Sequence, residues 1–171
     1  MFETRKGYGN AYKAGLPRAT GDIIATADGD GTYPTKSIGP IIDHMLASKL
    51  DFISASRFPL RNRNAMRFRN VLGNKILTYA TRLLWWRWIA DSQSGMWVFR
   101  REVLRRIKPR NPGMPFSEEI KLEVIDKKLR FGEYHIDYNE RIGEPKLFPW
   151  KDGVDNLLFL IRRRLRRLIR R

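Results

Sequence analysis

Apolar residues along this chain follow two periods. Ile23-Ile24-Ala25-Thr26-Ala27 is a short apolar run that starts after Gly21-Asp22 and ends in a glycine-rich loop. Leu50 to Ala55, Met96 to Phe99 and Glu133 to Asn139 have the length and bounds of strands as well, so four strands are expected. Helical spacing fills the gaps. Ile38, Ile41, Ile42, Met45 and Leu46 mark one helix, with Thr35 or Ser37 as its N-cap and Pro40 tolerated in its first turn. Val71, Leu72, Ile76, Leu77, Ala80 and Leu83 mark a longer one across 70–86. Shorter helices are read over Ala11–Leu16 and Arg101–Ile107, and another over Ser117–Leu129, where Glu118 and Glu119 suit a positive helix N-terminus. Strands alternating with helices predict an α/β layer fold with a mostly parallel sheet, whose ligands lie beyond the carboxyl ends of its strands.

The last segment differs. From Val154 onward, Val154, Leu158, Ile161, Leu165 and Leu168 fall on one helical face and arginines on the other. Residues 151–171 are therefore read as a basic amphipathic helix attached to a domain over 1–150. Such a helix suits the surface of an anionic bilayer. No run of about 18 apolar residues is present, so no membrane-spanning helix is expected, and Met1 to Lys6 carries no signal-peptide pattern. Trp85, Trp86 and Trp88, between Arg82 and Arg87, are read as a membrane-interface patch.

Composition narrows the chemistry. The chain has 171 residues, 42% of them hydrophobic, which is enough for one domain with a core. It has no cysteine and two distant histidines, His44 and His135, which argues against disulfides and against thiolate or histidine zinc sites. The absence of cysteine suits a reducing compartment. A net charge of +16 demands polyanionic partners: nucleic acid, anionic lipid or phosphorylated substrates.

The distinctive chemistry is acidic. Asp28 and Asp30 follow the first strand directly, separated and followed by Gly29 and Gly31. Two carboxylates two residues apart on a bending loop can face one hard cation, Mg2+ or Mn2+, which commonly bridges a carboxylate to a diphosphate. Asp-Gly is also a common turn dipeptide. An EF-hand is excluded, because Tyr33 and Gly39 stand where such a loop needs glycine and a bidentate glutamate.

Several motifs occur in order. Lys6-Gly7-Tyr8-Gly9-Asn10-Ala11 and Thr20-Gly21-Asp22-Ile23-Ile24 lead into Ala27-Asp28-Gly29-Asp30-Gly31-Thr32-Tyr33. Ser54-Ala55-Ser56-Arg57-Phe58, Asp91-Ser92-Gln93-Ser94-Gly95-Met96 and Glu140-Arg141-Ile142-Gly143-Glu144-Pro145-Lys146-Leu147 follow. Over Gly7 to about Leu160 this series resembles the family 2 glycosyltransferases, and most of all their dolichyl-phosphate mannose synthase and polyprenyl-phosphate glycosyltransferase group.

The resemblance implies a GT-A fold, a Rossmann-like mixed sheet flanked by helices. It also implies transfer of a sugar from a nucleoside-diphosphate donor, with inversion, to a polyprenyl or dolichyl phosphate. By the same match, Asp28 and Asp30 would hold the divalent cation, Arg57 would lie near the phosphates, and Asp91 would serve catalysis or acceptor orientation. Arg141 and Lys146 would belong to a loop closing over acceptor and diphosphate. A phosphate acceptor would need no general base; a hydroxyl acceptor would, with Asp91 the candidate. Members of the family begin with a Pro-x-x-Asn-Glu strand, a helix and a second strand. Nothing in Met1 to Arg5 matches these, so the chain is expected to lack the first βαβ elements, to leave a sheet edge open and to transfer little on its own. A cytoplasmic protein lying on the inner face of the membrane is expected, with no nucleic-acid partner. The competing classes are a basic nucleic-acid- or membrane-binding module and an inactive glycosyltransferase remnant.

Overall fold

The computed structural model describes residues 3–143 and 149–169. Its sheet has four strands, β1 (Ile23–Thr26), β2 (Phe52–Ser56), β3 (Trp97–Arg100) and β4 (Phe131–His135), in the order β1-β3-β2-β4. β2 and β4 are parallel, pairing Phe52 with Phe131 through Ser56 with His135. β3 runs antiparallel to both β1 and β2. The sheet is thus mixed, and the expectation of a mostly parallel one is corrected: two of its three pairings are antiparallel. Apolar alternation encodes which way side chains face but not which way a strand runs. Here the excursion after β2 re-enters between β1 and β2 from their carboxyl ends.

That topology has a chemical consequence. The segment before β3 reaches the same end of the sheet as the segments after β1, β2 and β4. Four loops, carrying Asp28, Arg57, Asp91 and Arg141, therefore converge on one edge.

The helices are α1 (Tyr8–Gly15), α2 (Ile38–Ala47), α3 (Phe68–Trp85), α4 (Val103–Arg106), α5 (Phe116–Asp126) and α6 (Pro149–Ile169). α2 is preceded by a 3-10 turn, Thr35–Ser37, and neither Thr35 nor Ser37 caps it through a side chain; the Ser37 amide donates to the Pro34 carbonyl instead. α1 begins three residues before its expected start. The reason is a close approach to the segment before α5: a Cβ on Gly9 would stand 2.1 Å from the Asn111 carbonyl oxygen, and the Asn10 amide donates to the Pro112 carbonyl.

The central strands feed two cores. Phe52, Trp97 and Phe99 face α4 and α5, where Phe116, Ile120 and Val124 meet them; Ile53 and Val98 face α2, where Ile41 and Met45 meet them. Burial on both faces explains why these strands read as continuous apolar runs. Phe52 stacks on Phe99 and on Phe131 with ring centroids 5.3 and 5.9 Å apart, which fixes the register across three strands.

A third, smaller cluster joins α3, α5 and α6 through Leu77, Trp85, Leu122 and Leu160. α6 docks with Asn156 and Leu160 buried and with Arg163 bonded to Glu123 and Asp126, each at 2.8 Å. Its apolar row at Val154, Leu158, Ile161, Leu165 and Leu168 faces outward and is 40–54% exposed. The helix thus both packs on its own domain and keeps the predicted stripe free. The tryptophan cluster divides likewise: Trp85 is buried with its Nε1 donating to Asp126, whereas Trp86 and Trp88 are exposed.

Candidate active site

Asp28 sits just past β1, and the turn that follows folds back on itself. Asp30 Oδ1 accepts from the Thr32 amide (3.0 Å) and the Thr32 hydroxyl (2.5 Å), while its Oδ2 pairs with Arg141 at 2.5 Å. The strand-like segment after β4 runs along this turn. Ile142 and Asn139 donate their amides to the carbonyls of Asp30 and Thr32, both at 2.9 Å. Gly31, at φ 76°, accepts this crossing because a Cβ there would lie 2.8 Å from Ile142 Cδ1. Arg141 is thereby brought to the acidic pair. Lys146 lies outside the described residues.

Burial pushes the Asp28 carboxyl up, and the Asp30 carboxylate adds to that; Arg141, Arg57 and a hydrogen bond with Tyr12 pull it back. The two carboxylates and two arginines therefore share one electrostatic neighbourhood. A second wall closes against it at Gly95, where a Cβ would stand 2.7 Å from the Tyr8 hydroxyl and 3.4 Å from an Asp28 carboxylate oxygen. The Gly95 amide donates to the Tyr33 hydroxyl at 2.6 Å. Burial drives the Tyr8 hydroxyl well above its usual range and that of Tyr12 up to about 12, so both stay neutral donors beside Asp28.

Arg57 and Asp91 meet beneath this cleft. The guanidinium Nε and Nη2 reach the two Asp91 oxygens at 2.7 and 2.9 Å, and the Arg57 amide adds a third bond at 3.1 Å. Asp91 is 0% and Arg57 6% exposed. Burial pushes Asp91 up, but the Arg57 guanidinium and then Lys121 hold it below the usual carboxylate range. Arg57 also lies over the Tyr138 ring, 5.4 Å from its centroid.

Four further residues fix the loop 90–95, and motif reading passed them over. Glu133, on β4, accepts the amides of Ala90 (2.5 Å) and Asp91 (3.0 Å). Lys121, 1% exposed, donates to the Ser92 carbonyl at 2.6 Å and to the Asp91 carbonyl at 3.4 Å. Thr78 of α3 accepts the Ser92 amide. Glu118 accepts from Gln93 Nε2, and its other oxygen is buried without a partner. Burial pushes the Glu118 carboxyl up to about 8 and the Lys121 amine down to about 7. The one sequence signal was a lysine at a position of α5 that packs inward; Glu118 looked like an ordinary first-turn acid.

The donor set at Asp28 and Asp30 fits a hard divalent cation. It offers two carboxylates on one turn, one of them buried beside the other, with Arg141 already drawn in as counter-charge. Among the described residues no third carboxylate, histidine or cysteine gathers with them. The remaining coordination would come from outside the chain, as Mg2+ is commonly held by one or two carboxylates plus phosphate oxygens.

A mixed sheet flanked by helices, with an acidic turn after its first strand, defines the GT-A class of nucleotide-sugar transferase folds. Solved structures of that class superpose on it. Glucosyl-3-phosphoglycerate synthase from Mycobacterium tuberculosis, in complex with phosphoglyceric acid, aligns with a TM-score of 0.68 at 18% identity over 94% of this chain and 56% of that one. A second structure of that enzyme, with Mn2+, uridine-diphosphate-glucose and phosphoglyceric acid, aligns equally well over 94% and 55%. At this identity the likeness concerns the fold.

The chain belongs to glycosyl transferase family 2, which it matches over residues 1–108. Among its relatives, the low-salt glycan biosynthesis hexosyltransferase Agl6 of Haloferax volcanii is 29% identical over 158 residues, 91% of this chain and 38% of that protein. The dolichyl-phosphate hexose transferase of the same organism is 29% identical over 150 residues, 87% of this chain and 64% of that one. A UDP-N-acetylglucosamine–dolichyl-phosphate N-acetylglucosaminyltransferase of Methanococcus voltae is 28% identical, over 78% of this chain and 56% of its own. The chain thus spans between 38% and 64% of the length of these relatives.

Proposed function

We propose that this chain carries the catalytic centre of a hexosyltransferase that moves a sugar, with inversion, from a nucleoside diphosphate to a polyprenyl or dolichyl phosphate. The observation that carries the reading is the convergence of Asp28, Asp30, Arg57 and Arg141 at one sheet edge, with the Asp91 loop packed against them. The relatives' dolichyl-phosphate substrates support the choice of acceptor.

In this reading Asp28 and Asp30 are the residues that would hold Mg2+ or Mn2+ when a diphosphate donor binds. The bound ion supplies Lewis-acid neutralisation of charge on the departing nucleotide. Arg141, ion-paired with Asp30, stands where its guanidinium would meet phosphates bound at this turn. Asp91 occupies Nε and Nη2 of Arg57, which leaves Nη1 as the guanidinium's remaining donor for an acceptor phosphate. Asp91 is thus a positioning group whose oxygens are already engaged, which favours an acceptor that needs no base. The acceptor's anionic oxygen attacks the anomeric carbon on the face opposite the diphosphate, and the bond to the diphosphate breaks. The protein would lie peripherally on the cytoplasmic face of an anionic membrane; among the described residues no helix is long and apolar enough to cross one.

The test is titration of the chain with inorganic pyrophosphate and with nucleoside diphosphates, each with and without Mn2+. Saturable binding that needs Mn2+ and vanishes in Asp28→Asn is the expected result. Failure of every diphosphate to bind with Mn2+ would overturn the reading. Sugar transfer to a polyprenyl phosphate, assayed separately, distinguishes a working enzyme from an inactive relative.

A further inference from the structure

Beneath the cleft, five ionisable side chains from four parts of the chain are gathered. Arg57 follows β2, Asp91 precedes β3, Glu118 and Lys121 lie on α5, and Glu133 lies on β4. Glu118 and Lys121 are each 1% exposed and Asp91 0%. Two cations therefore face three acids, and an unpaired charge is costly where water is excluded. One acid keeps its proton.

The hydrogen bonds show which. Both Asp91 oxygens are taken by Arg57, and Oδ1 also accepts the Gln93 amide at 3.1 Å. Each Glu133 oxygen accepts a backbone amide, one from Ala90 and one from Asp91. Glu118 has only neutral donors. Its Oε1 accepts from Gln93 Nε2 and, at 3.4 Å, from the Ser92 hydroxyl, while Oε2 is buried with no partner. The proton therefore sits on Glu118, in keeping with a carboxyl that burial pushes up to about 8.

Lys121 stands three residues along the same side of α5. It gives its ammonium to the loop instead: Nζ donates to the carbonyls of Ser92 at 2.6 Å and Asp91 at 3.4 Å. After Arg57 it is the next cation that holds Asp91 ionised. α3 adds the Thr78 hydroxyl, which meets the Ser92 amide and hydroxyl at 3.1 and 3.2 Å. The charged groups facing the Glu118–Lys121 pair are Asp91, Arg57 and Glu133. Loss of the Glu118 proton upsets this balance. A bare carboxylate one turn away attracts the Lys121 ammonium more strongly than two carbonyls do. The loop then loses its anchor on α5, and Asp91 loses the second of its cations.

We infer that Glu118 and Lys121 are positioning residues for the Arg57–Asp91 pair: while Glu118 holds its proton, Lys121 anchors the Asp91 loop, and when the proton leaves, Lys121 turns to Glu118 and the loop slackens. Neither residue touches substrate. What they hold still is the Arg57 guanidinium, whose Nη1 is left for an acceptor phosphate; that link to a phosphate rests on the transfer proposed above. Acceptor binding is accordingly strongest below the ionisation of Glu118 and weaker above it.

The experiment follows the Arg57 Nε nitrogen shift of the full chain by carbon-detected NMR, from about pH 6.5 to about pH 9. Three proteins are compared: the parent, Glu118→Gln, which keeps the acceptor oxygen but cannot ionise, and Lys121→Met. In the parent the shift titrates with a midpoint at about 8. Glu118→Gln stays at the parent's low-pH position throughout, and Lys121→Met at its high-pH position. Residues that merely support the fold would lower the urea midpoint without flattening the profile. Inorganic phosphate affinity falls about tenfold in the parent between about pH 7.5 and pH 9 and stays constant in Glu118→Gln. A flat shift in the parent, or a Glu118→Gln profile that titrates like the parent's, would overturn the inference, and this holds even where Lys121→Met does not fold. So would a parent whose phosphate affinity ignores pH. The expected NMR titration in a parent that binds no phosphate at all would sink the transferase reading and leave the loop device standing.

Discussion

Arg57 and Asp91 are buried as a bidentate pair, so neither tolerates loss of the other. Arg57→Ala leaves a carboxylate without its counter-charge at 0% exposure, and removing one partner of such a pair costs about 3–5 kcal/mol. Urea denaturation of Arg57→Ala should show that loss, whereas Asp28→Asn, which relieves like-charge repulsion with Asp30, should be neutral or stabilising while abolishing Mn2+ binding. Glu118 sets a pH dependence of its own. Its folded-state carboxyl is raised by burial to about 8, against 4.5 for the free group. The folded state therefore holds a proton that the unfolded chain releases. Stability from this group is complete below about pH 4.5 and is lost as pH rises toward 8. Lys121, lowered to about 7, acts in the opposite sense above neutrality, so the clean window is about pH 5 to 7. Across it, the urea midpoint of the parent should fall relative to that of Glu118→Gln; parallel profiles would show that Glu118 is ionised in the folded protein.

At the scale of elements, two close approaches hold the site. The loop before β3 touches the turn after β1 at Gly95, where a side chain would meet Tyr8 and the Asp28 carboxylate. Gly95→Ala should therefore weaken Mn2+-dependent pyrophosphate binding at least about tenfold, with a stability cost of about 1–3 kcal/mol from overpacking. An unchanged affinity would mean that the two loops separate in solution. α6 depends on Leu160, 0% exposed, and on Arg163 bonded between Glu123 and Asp126. Leu160→Ala should cost about 2–5 kcal/mol and open the arginine-rich end of α6 to limited trypsin digestion before the rest of the chain is cut.

The whole molecule presents two contrasting surfaces: an acidic turn beside Arg57 and Arg141 at the sheet edge, and a helix pair, α3 and α6, with exposed apolar rows and arginines. The alternation of strands and helices, the Asp28-Gly29-Asp30 turn, and the amphipathic α6 were all legible in the chain, because side-chain period and turn composition are local properties. β1 to β4 lie within four residues of where the periods put them. The sequence by itself determined which segments are strands and helices, which family they belong to, and that two carboxylates follow the first strand. Only the tertiary structure decided that β3 runs against its neighbours, which of α6's faces docks, and that Glu118, Lys121 and Glu133 converge on the Asp91 loop. Those choices depend on contacts between residues 25 to 77 positions apart, and no local period records the pairing of distant segments or the direction in which a strand enters a sheet.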